Sequence, residues 1–259
     1  MNNNDLKHFK RWFTDYVAGF YTEDSSYNIP IRVKEEHTDR VCRNMSMLGR
    51  ALGLSDTDML LAETTALFHD IGRFRQYALY GTFNDRRSEN HARMGLRQLA
   101  AHEVLSVCSQ SERRLITTAI AYHNAAFLPQ NTDEKTRFYM GLIRDADKLD
   151  IWRVFIGYYR QETKIPTPLA EFNLSDAPSC SLPVIQALNQ QRFVKMQQVQ
   201  TLNDLKLLQI SWVFDLNFKP SFQAVLRRNY IDQIEATLPR STAVAEAVQK
   251  ARNYVQKHA

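Results

Sequence analysis

Residues 55–74 read SDTDMLLAETTALFHDIGRF, and this stretch decides the fold. Ser55 with Asp58 three residues on resembles a capping box, and Gly53 just ahead suits the end of a preceding helix. The apolar run MLLAETTALF then carries the chain through a helix expected over 56–72, at whose end His69 and Asp70 stand side by side. Adjacent helical residues project about 100° apart, so the imidazole and the carboxylate leave one helix end in neighbouring directions.

The same helical spacing of apolar residues recurs on both sides of this stretch, and Gly and Pro are scarce at eight each, so the chain reads as all-α. Helices are expected near 5–22, 31–53, 56–72, 87–104, 110–124, 134–160, 182–198, 201–217, 219–236 and 241–257. Residues 163–183 hold four of the eight prolines and no clear period, which predicts a connecting loop. Beyond it, TLNDLKLLQISWVFDLNF (201–218) is strongly apolar and is expected to pack on the first helices. The expected organisation is a single all-helical domain over 1–259, with a core at about 30–160 and a C-terminal helical extension at about 180–259. No internal repeat or heptad run is visible.

At 259 residues and 44% hydrophobic, the chain is long enough for one large core. The opening MNNNDLKHFKRW lacks the apolar run of a secretory signal, and no stretch approaches the roughly 20 apolar residues that cross a bilayer. A cytoplasmic protein without a membrane partner is therefore expected. Cys42, Cys108 and Cys180 are odd in number and scattered, which predicts idle thiols. The net charge of +5 is interleaved along the chain with no dense basic tract, which argues against a nucleic-acid partner and fits a pocket for small anions.

Histidines and aspartates fall on the inward stripes of successive expected helices, where ionisable groups are rare unless paired. His37 has Val33 and Val41 one turn to either side; His123 follows Ile116, Ala119 and Ile120; Asp147 shares a face with Ile143 and Val154. His91 lies one turn before Gly95, a small residue that permits close helix approach. A buried, unpaired carboxylate costs several kcal/mol, so Asp70 and Asp147 each need a cation or a donor network. Imidazole with carboxylate suits Mn, Fe, Co, Ni or Zn, with Mg also compatible, and argues against an all-oxygen calcium site.

FHDIGRF (68–74), preceded by His37 on a helix and followed by DADKLD (145–150), resembles the HD superfamily of metal-dependent phosphohydrolases, over about residues 30–160. That resemblance implies an HD-domain helical bundle with appended C-terminal helices. It makes His37, His69, Asp70 and Asp147 the ligands of a first metal, with Asp145 as the alternative ligand within DADKLD and Asp150 a neighbour that orients a ligand. NHARMG (90–95) and AYHN (121–124) resemble the positions at which some branches bind a second metal, with Asp70 bridging. One or two ions per chain are thus implied, and His91 and His123 either ligate the second or line the pocket and donate to phosphate.

The implied activity is hydrolysis of a nucleotide or other small phosphate ester by a metal-bound hydroxide, with Asp70, Arg73, His91 and His123 catalytic. Expected substrate contacts are Arg73, Arg87, Asn124 and Lys148. Arg73, three residues after Asp70, is either a phosphate-binding guanidinium or a salt-bridged residue. YGTFNDRRSENH (80–91) reads as a lid or phosphate-gathering loop, or as a simple helix cap. Tyr77, Tyr80, Phe83 and Tyr122 are core residues or stacking platforms. Two other classes stay open: a non-catalytic metal-bound sensor or scaffold, and a di-iron oxygenase. The apolar C-terminal helices, with Trp212 and Phe214, serve either intramolecular packing or a homodimer contact.

Overall fold

The computed structural model describes residues 1–160 and 174–259. Among them every regular element is helical, with one isolated parallel bridge between Ser175 and Thr201, as the all-α reading expects. No described helix is long and apolar enough to cross a membrane. The chain divides into two compact units, Met1–Asp147 and Lys148–Ala259.

The first unit contains α1 (Asn3–Ala18), α2 (Ser25–Ala51), α3 (Asp56–Phe68), α4 (Gly72–Tyr80), α5 (His91–Ala101), α6 (Gln110–Tyr122) and the first part of α7 (Glu134–Tyr159). Helix α3 is central and packs against α1, α2 and α6, while α5 bridges α4 and α6. It starts as its sequence requires: the Ser55 hydroxyl accepts the Asp58 N–H, and Gly53 sits in the left-handed region at φ 71°. Phe9, Val41, Met45, Ala66, Phe68, Ile116, Ile120 and Met140 are fully buried around it. Phe9 and Phe68 meet edge to face at 5.7 Å, and each buried ring contributes about 1.5–3 kcal/mol.

The helix expected over 56–72 is two helices. α3 ends at Phe68 and α4 begins at Gly72. His69 and Ile71 both keep right-handed helical dihedrals, and the junction is closed by three-residue bonds from Ile71 N–H to the Phe68 carbonyl and from Arg73 N–H to the Asp70 carbonyl. With neither Gly nor Pro between residues 54 and 71, nothing in the sequence marks this turn of the axis. α2 starts earlier than expected, at Ser25 behind the Asp24 cap, and accommodates Pro30 in its second turn.

The second unit comprises the rest of α7, α8 (Leu182–Asn189), α9 (Leu202–Ser211), α10 (Lys219–Arg227), α11 (Tyr230–Glu235) and α12 (Thr242–His258). Of the loop expected over 163–183, residues 161–173 lie outside the described residues, and 174–181 form no helix. The single helices expected over 182–198 and 219–236 are each interrupted, at Gln191 and Asn229, by a residue in the left-handed region (φ 52° and 53°), a conformation that Asn tolerates well. The apolar stretch over 201–218 packs within its own unit, on α8, α11 and α12. The buried indole of Trp152 donates to the Gln209 carbonyl at 2.9 Å, and the Tyr230 hydroxyl donates to the Leu149 carbonyl at 2.8 Å.

Candidate metal centre

Five chain segments deliver the site within the first unit. His37 comes from the middle of α2, His69 and Asp70 from the turn between α3 and α4, His91 from the first residue of α5, and His123 from the residue that ends α6. Asp147 lies on α7. All the histidines and Asp70 are at most 5% exposed, so their polar atoms depend on one another.

The atoms sort into two groups that share Asp70. In the first, His37 Nε2 lies 3.3 Å from His69 Nε2, 3.1 Å from Asp147 Oδ1 and 3.7 Å from Asp70 Oδ2. His69 Nε2 is 3.7 Å from Asp147 Oδ1 and 3.9 Å from Asp70 Oδ2. In the second, His91 Nε2 lies 3.0 Å from His123 Nε2 and 3.1 Å from Asp70 Oδ1, with His123 Nε2 at 3.7 Å from that same oxygen. Asp70 therefore turns one oxygen to each group. Asp145, the alternative within DADKLD, is about 200° around the helix from Asp147 and is fully buried.

The tautomers show what these groups need. His69 Nδ1 donates to the Ala66 carbonyl at 2.7 Å and His123 Nδ1 to the Ile120 carbonyl at 2.8 Å; a carbonyl only accepts, so the proton sits on Nδ1. His91 Nδ1 donates to the Asp85 carboxylate at 2.8 and 2.9 Å. Burial and the Arg73 guanidinium push the His91 pKa down, against the pull of Asp70 and Asp85, so the ring is neutral near pH 7. A ring whose one proton sits on Nδ1 turns a bare lone pair inward at Nε2, and the Nε2 atoms of His91 and His123 converge at 3.0–3.7 Å on each other and on Asp70 Oδ1. Such an array is repulsive unless a cation stands among its members.

A divalent metal fits that need. Two ligand atoms each ~2.1 Å from one ion lie about 3.0–3.4 Å apart at angles of 90–109°. The separations above, 3.0–3.9 Å, bracket that range. The donors are nitrogen and oxygen alone. Burial pushes Cys42 up to about 12 and Cys108 and Cys180 up to about 11, so these cysteines remain protonated thiols.

Both carboxylates are held as anions. Burial raises the Asp70 pKa, but the Lys34 ammonium and the Arg73 guanidinium beside it more than offset this and hold the group well below the usual carboxylate range. Burial likewise opposes Asp147, and the hydrogen bond from His37, 3.1 Å away, leads the interactions that bring it well below that range.

Around these atoms lies a second layer that the sequence did not mark. Asp85, from the polar stretch 80–91, receives His91 Nδ1, Gln76 Nε2 at 2.8 Å, Arg73 Nη1 at 3.0 Å and Asn124 Nδ2 at 3.2 Å. Burial opposes it, yet the bond from His91, the Arg73 guanidinium and the bond from Gln76 bring its pKa down to about 2. Gln76 Nε2 also donates to Ser88 Oγ and the Glu89 carbonyl, so this stretch is pinned to α4. Arg144 holds the end of α6 by donating to the Ala125 and His123 carbonyls at 2.6 and 3.3 Å.

The four expected substrate contacts fall in different places. Arg73 Nη1 is engaged three times, by Gln76 Oε1, the Phe83 carbonyl and Asp85, while its Nε lies 3.4 Å from Asp70 Oδ1. Asn124 is bonded to Asp85, and Arg87 is exposed. Lys148 is in the second unit, where its ammonium pairs with Asp215 at 2.7 Å.

A carboxylate that fixes the far nitrogen of a ligand histidine is worth about 10–100-fold in metal affinity. Asp85→Asn is therefore expected to weaken the Asp70/His91/His123 site by that factor and to spare the His37/His69/Asp147 site. Titration of the metal-free protein, followed by calorimetry, should show one of two binding steps weakened; two steps shifted equally would contradict this division of the site.

Residues 35–152 match the family model described as HD domain. No curated protein and no solved structure matches the chain.

Proposed function

From the premise that residues 35–152 make this chain an HD-superfamily protein, we propose that it is a metal-dependent phosphohydrolase acting on a small phosphate ester of the nucleotide kind. The observation that carries this reading is the split of Asp70 between two groups of inward-turned Nε2 atoms, a donor set that suits Mn, Fe, Co, Ni or Zn. When bound there, a divalent ion supplies Lewis acidity: it lowers the pKa of water toward neutrality and polarises a phosphoryl oxygen.

The chain's own residues do the rest. The Ala66, Ile120 and Asp85 acceptors fix three rings in the tautomer that leaves Nε2 free, so no reorganisation is needed on binding. Asp70 and Asp147, both ionised, offset the charge of the site. The four rings and Asp70 are buried and Asp147 is half-buried, which keeps bulk water from competing for the phosphoryl group. Water adds to phosphorus as the ester oxygen departs in line.

The test pairs elemental analysis of protein purified without chelator with hydrolysis of an aryl phosphate and its diester under added Mn, Fe, Co or Ni. Metal and metal-stimulated turnover are expected together. In His123→Ala the stoichiometry should fall from two ions per chain to one, because one of the three donors of the second group is gone. Bound metal without turnover on either ester would instead support a sensor or scaffold.

A further inference from the structure

Lys34 stands one helical turn before His37 on α2, on the same face, and neither motif spacing nor the resemblance singles it out. Its ammonium lies 2.9 Å from Asp70 Oδ2, the oxygen turned toward His37 and His69. It also sits over the Phe83 ring at 5.5 Å from the centroid. The ring is a fixed platform, because the Phe83 carbonyl accepts from Arg73 and the ring itself leans on Tyr77 at 5.1 Å.

We infer that Lys34 is the residue that receives the phosphate oxyanion at this site, with Asp70 Oδ2 as its counter-ion only until a divalent cation takes that oxygen. This rests on the phosphohydrolase reading and names the anion-binding group within it. An ammonium and a divalent ion cannot both be neutralised by one carboxylate oxygen; like charges that close repel strongly in a half-buried setting. The ammonium keeps two further N–H donors and a flexible four-carbon stem, so it turns to the next anion within reach while remaining over Phe83. At 19% side-chain exposure Lys34 opens to solvent, from which such an anion arrives.

Arg73, the other cation against Asp70, is built differently. Its Nη1 is tied by three acceptors, among them Asp85, which makes it a positioning residue for the Asp85 and His91 pair. A guanidinium locked in that way cannot follow an anion through a reaction. Lys34 can, because among the described residues its ion pair is with Asp70 alone.

The test uses the full chain loaded with Mn and measures two affinities by calorimetry: inorganic phosphate for the loaded protein, and Mn for the metal-free protein. Lys34→Met is expected to weaken phosphate by about 10-fold or more, since one charged hydrogen bond is lost. The same variant should bind Mn as tightly as the parent or more tightly, because a competing cation has left Asp70. Lys34→Arg should restore most of the phosphate affinity. A structural prop would behave otherwise: losing it would lower Mn affinity, and that result overturns the inference, as does unchanged phosphate affinity in Lys34→Met. If the loaded parent binds no phosphate at all, the inference also falls. The phosphohydrolase reading has its own readout: turnover that persists while Lys34→Met binds phosphate normally removes Lys34 alone, and Lys34-dependent phosphate binding without ester turnover removes the hydrolase alone.

Discussion

Asp70→Ala should leave the protein without bound metal at either group and without turnover. The reason is geometric: Oδ2 faces His37 and His69, Oδ1 faces His91 and His123, and a single truncation removes the anionic donor from both. Losing even an outer residue of a metal site costs about 10–100-fold, and here a ligand is lost twice over, so the combined loss should exceed 10²-fold. The fold should survive. Lys34 and Arg73 lose a carboxylate, but their side chains keep 19% and 15% exposure, and water replaces part of the missing interaction. Elemental analysis and a far-ultraviolet spectrum on one sample decide the matter. Full metal content with retained turnover would remove Asp70 from the centre of the site, whereas a lost helical spectrum would mean that the carboxylate holds the fold as well.

Gly72→Ala is expected to damage both the fold and the site. A Cβ at residue 72 would land on the His91 carbonyl oxygen, 2.5 Å from Gly95 N and 3.0 Å from Gly95 Cα. All three are backbone atoms and cannot rotate aside, so α4 and α5 must separate. Overpacking of this kind costs about 3 kcal/mol, which lowers the melting temperature by roughly 6–12 °C in a chain of this size. The separation also draws Asp70, Arg73 and Gln76 away from His91, so the second group should lose its metal first. Gly95→Ala is the milder control: its Cβ would meet Ile71 Cγ2 at 3.0 Å and Gly72 N at 3.1 Å, where a small shift suffices. Equal melting temperatures for Gly72→Ala and the parent would show that the two helices are not held at this distance.

The sequence carried those features that rest on periodicity and on buried charge. Helical spacing predicts α6 and α7 to within two residues and the start, though not the end, of α3, because their apolar faces are continuous and the caps Ser55 and Ser109 are of ordinary type. His37, His69, Asp70, His91, His123 and Asp147 stood out as ionisable groups on apolar faces, and the fold brings them to two adjoining groups. The small residue Gly95 pointed correctly to a close helix approach, although its partner at Gly72 was not foreseen.

What stayed hidden has physical reasons. Asp85 lies among Asn84, Arg86 and Arg87, where a carboxylate looks like one more solvated charge, and only the path of the chain brings it under His91. Lys34 is an ordinary charged position on a long helix until Asp70 arrives from another element. At the turn between α3 and α4, His69 and Ile71 both keep helical dihedrals, and no Gly or Pro announces the change of axis.

The partners within each group come from distant parts of the chain: His37 and His69 are 32 residues apart, as are His91 and His123. An unfolded chain therefore offers no comparable chelate, and the free energy of metal capture is added to that of folding. Each tenfold rise in free ion above its dissociation constant deepens the native well by about 1.4 kcal/mol. Abundance in a living cell would then track the ambient ion supply, with starved copies opening more often and falling first to proteolysis.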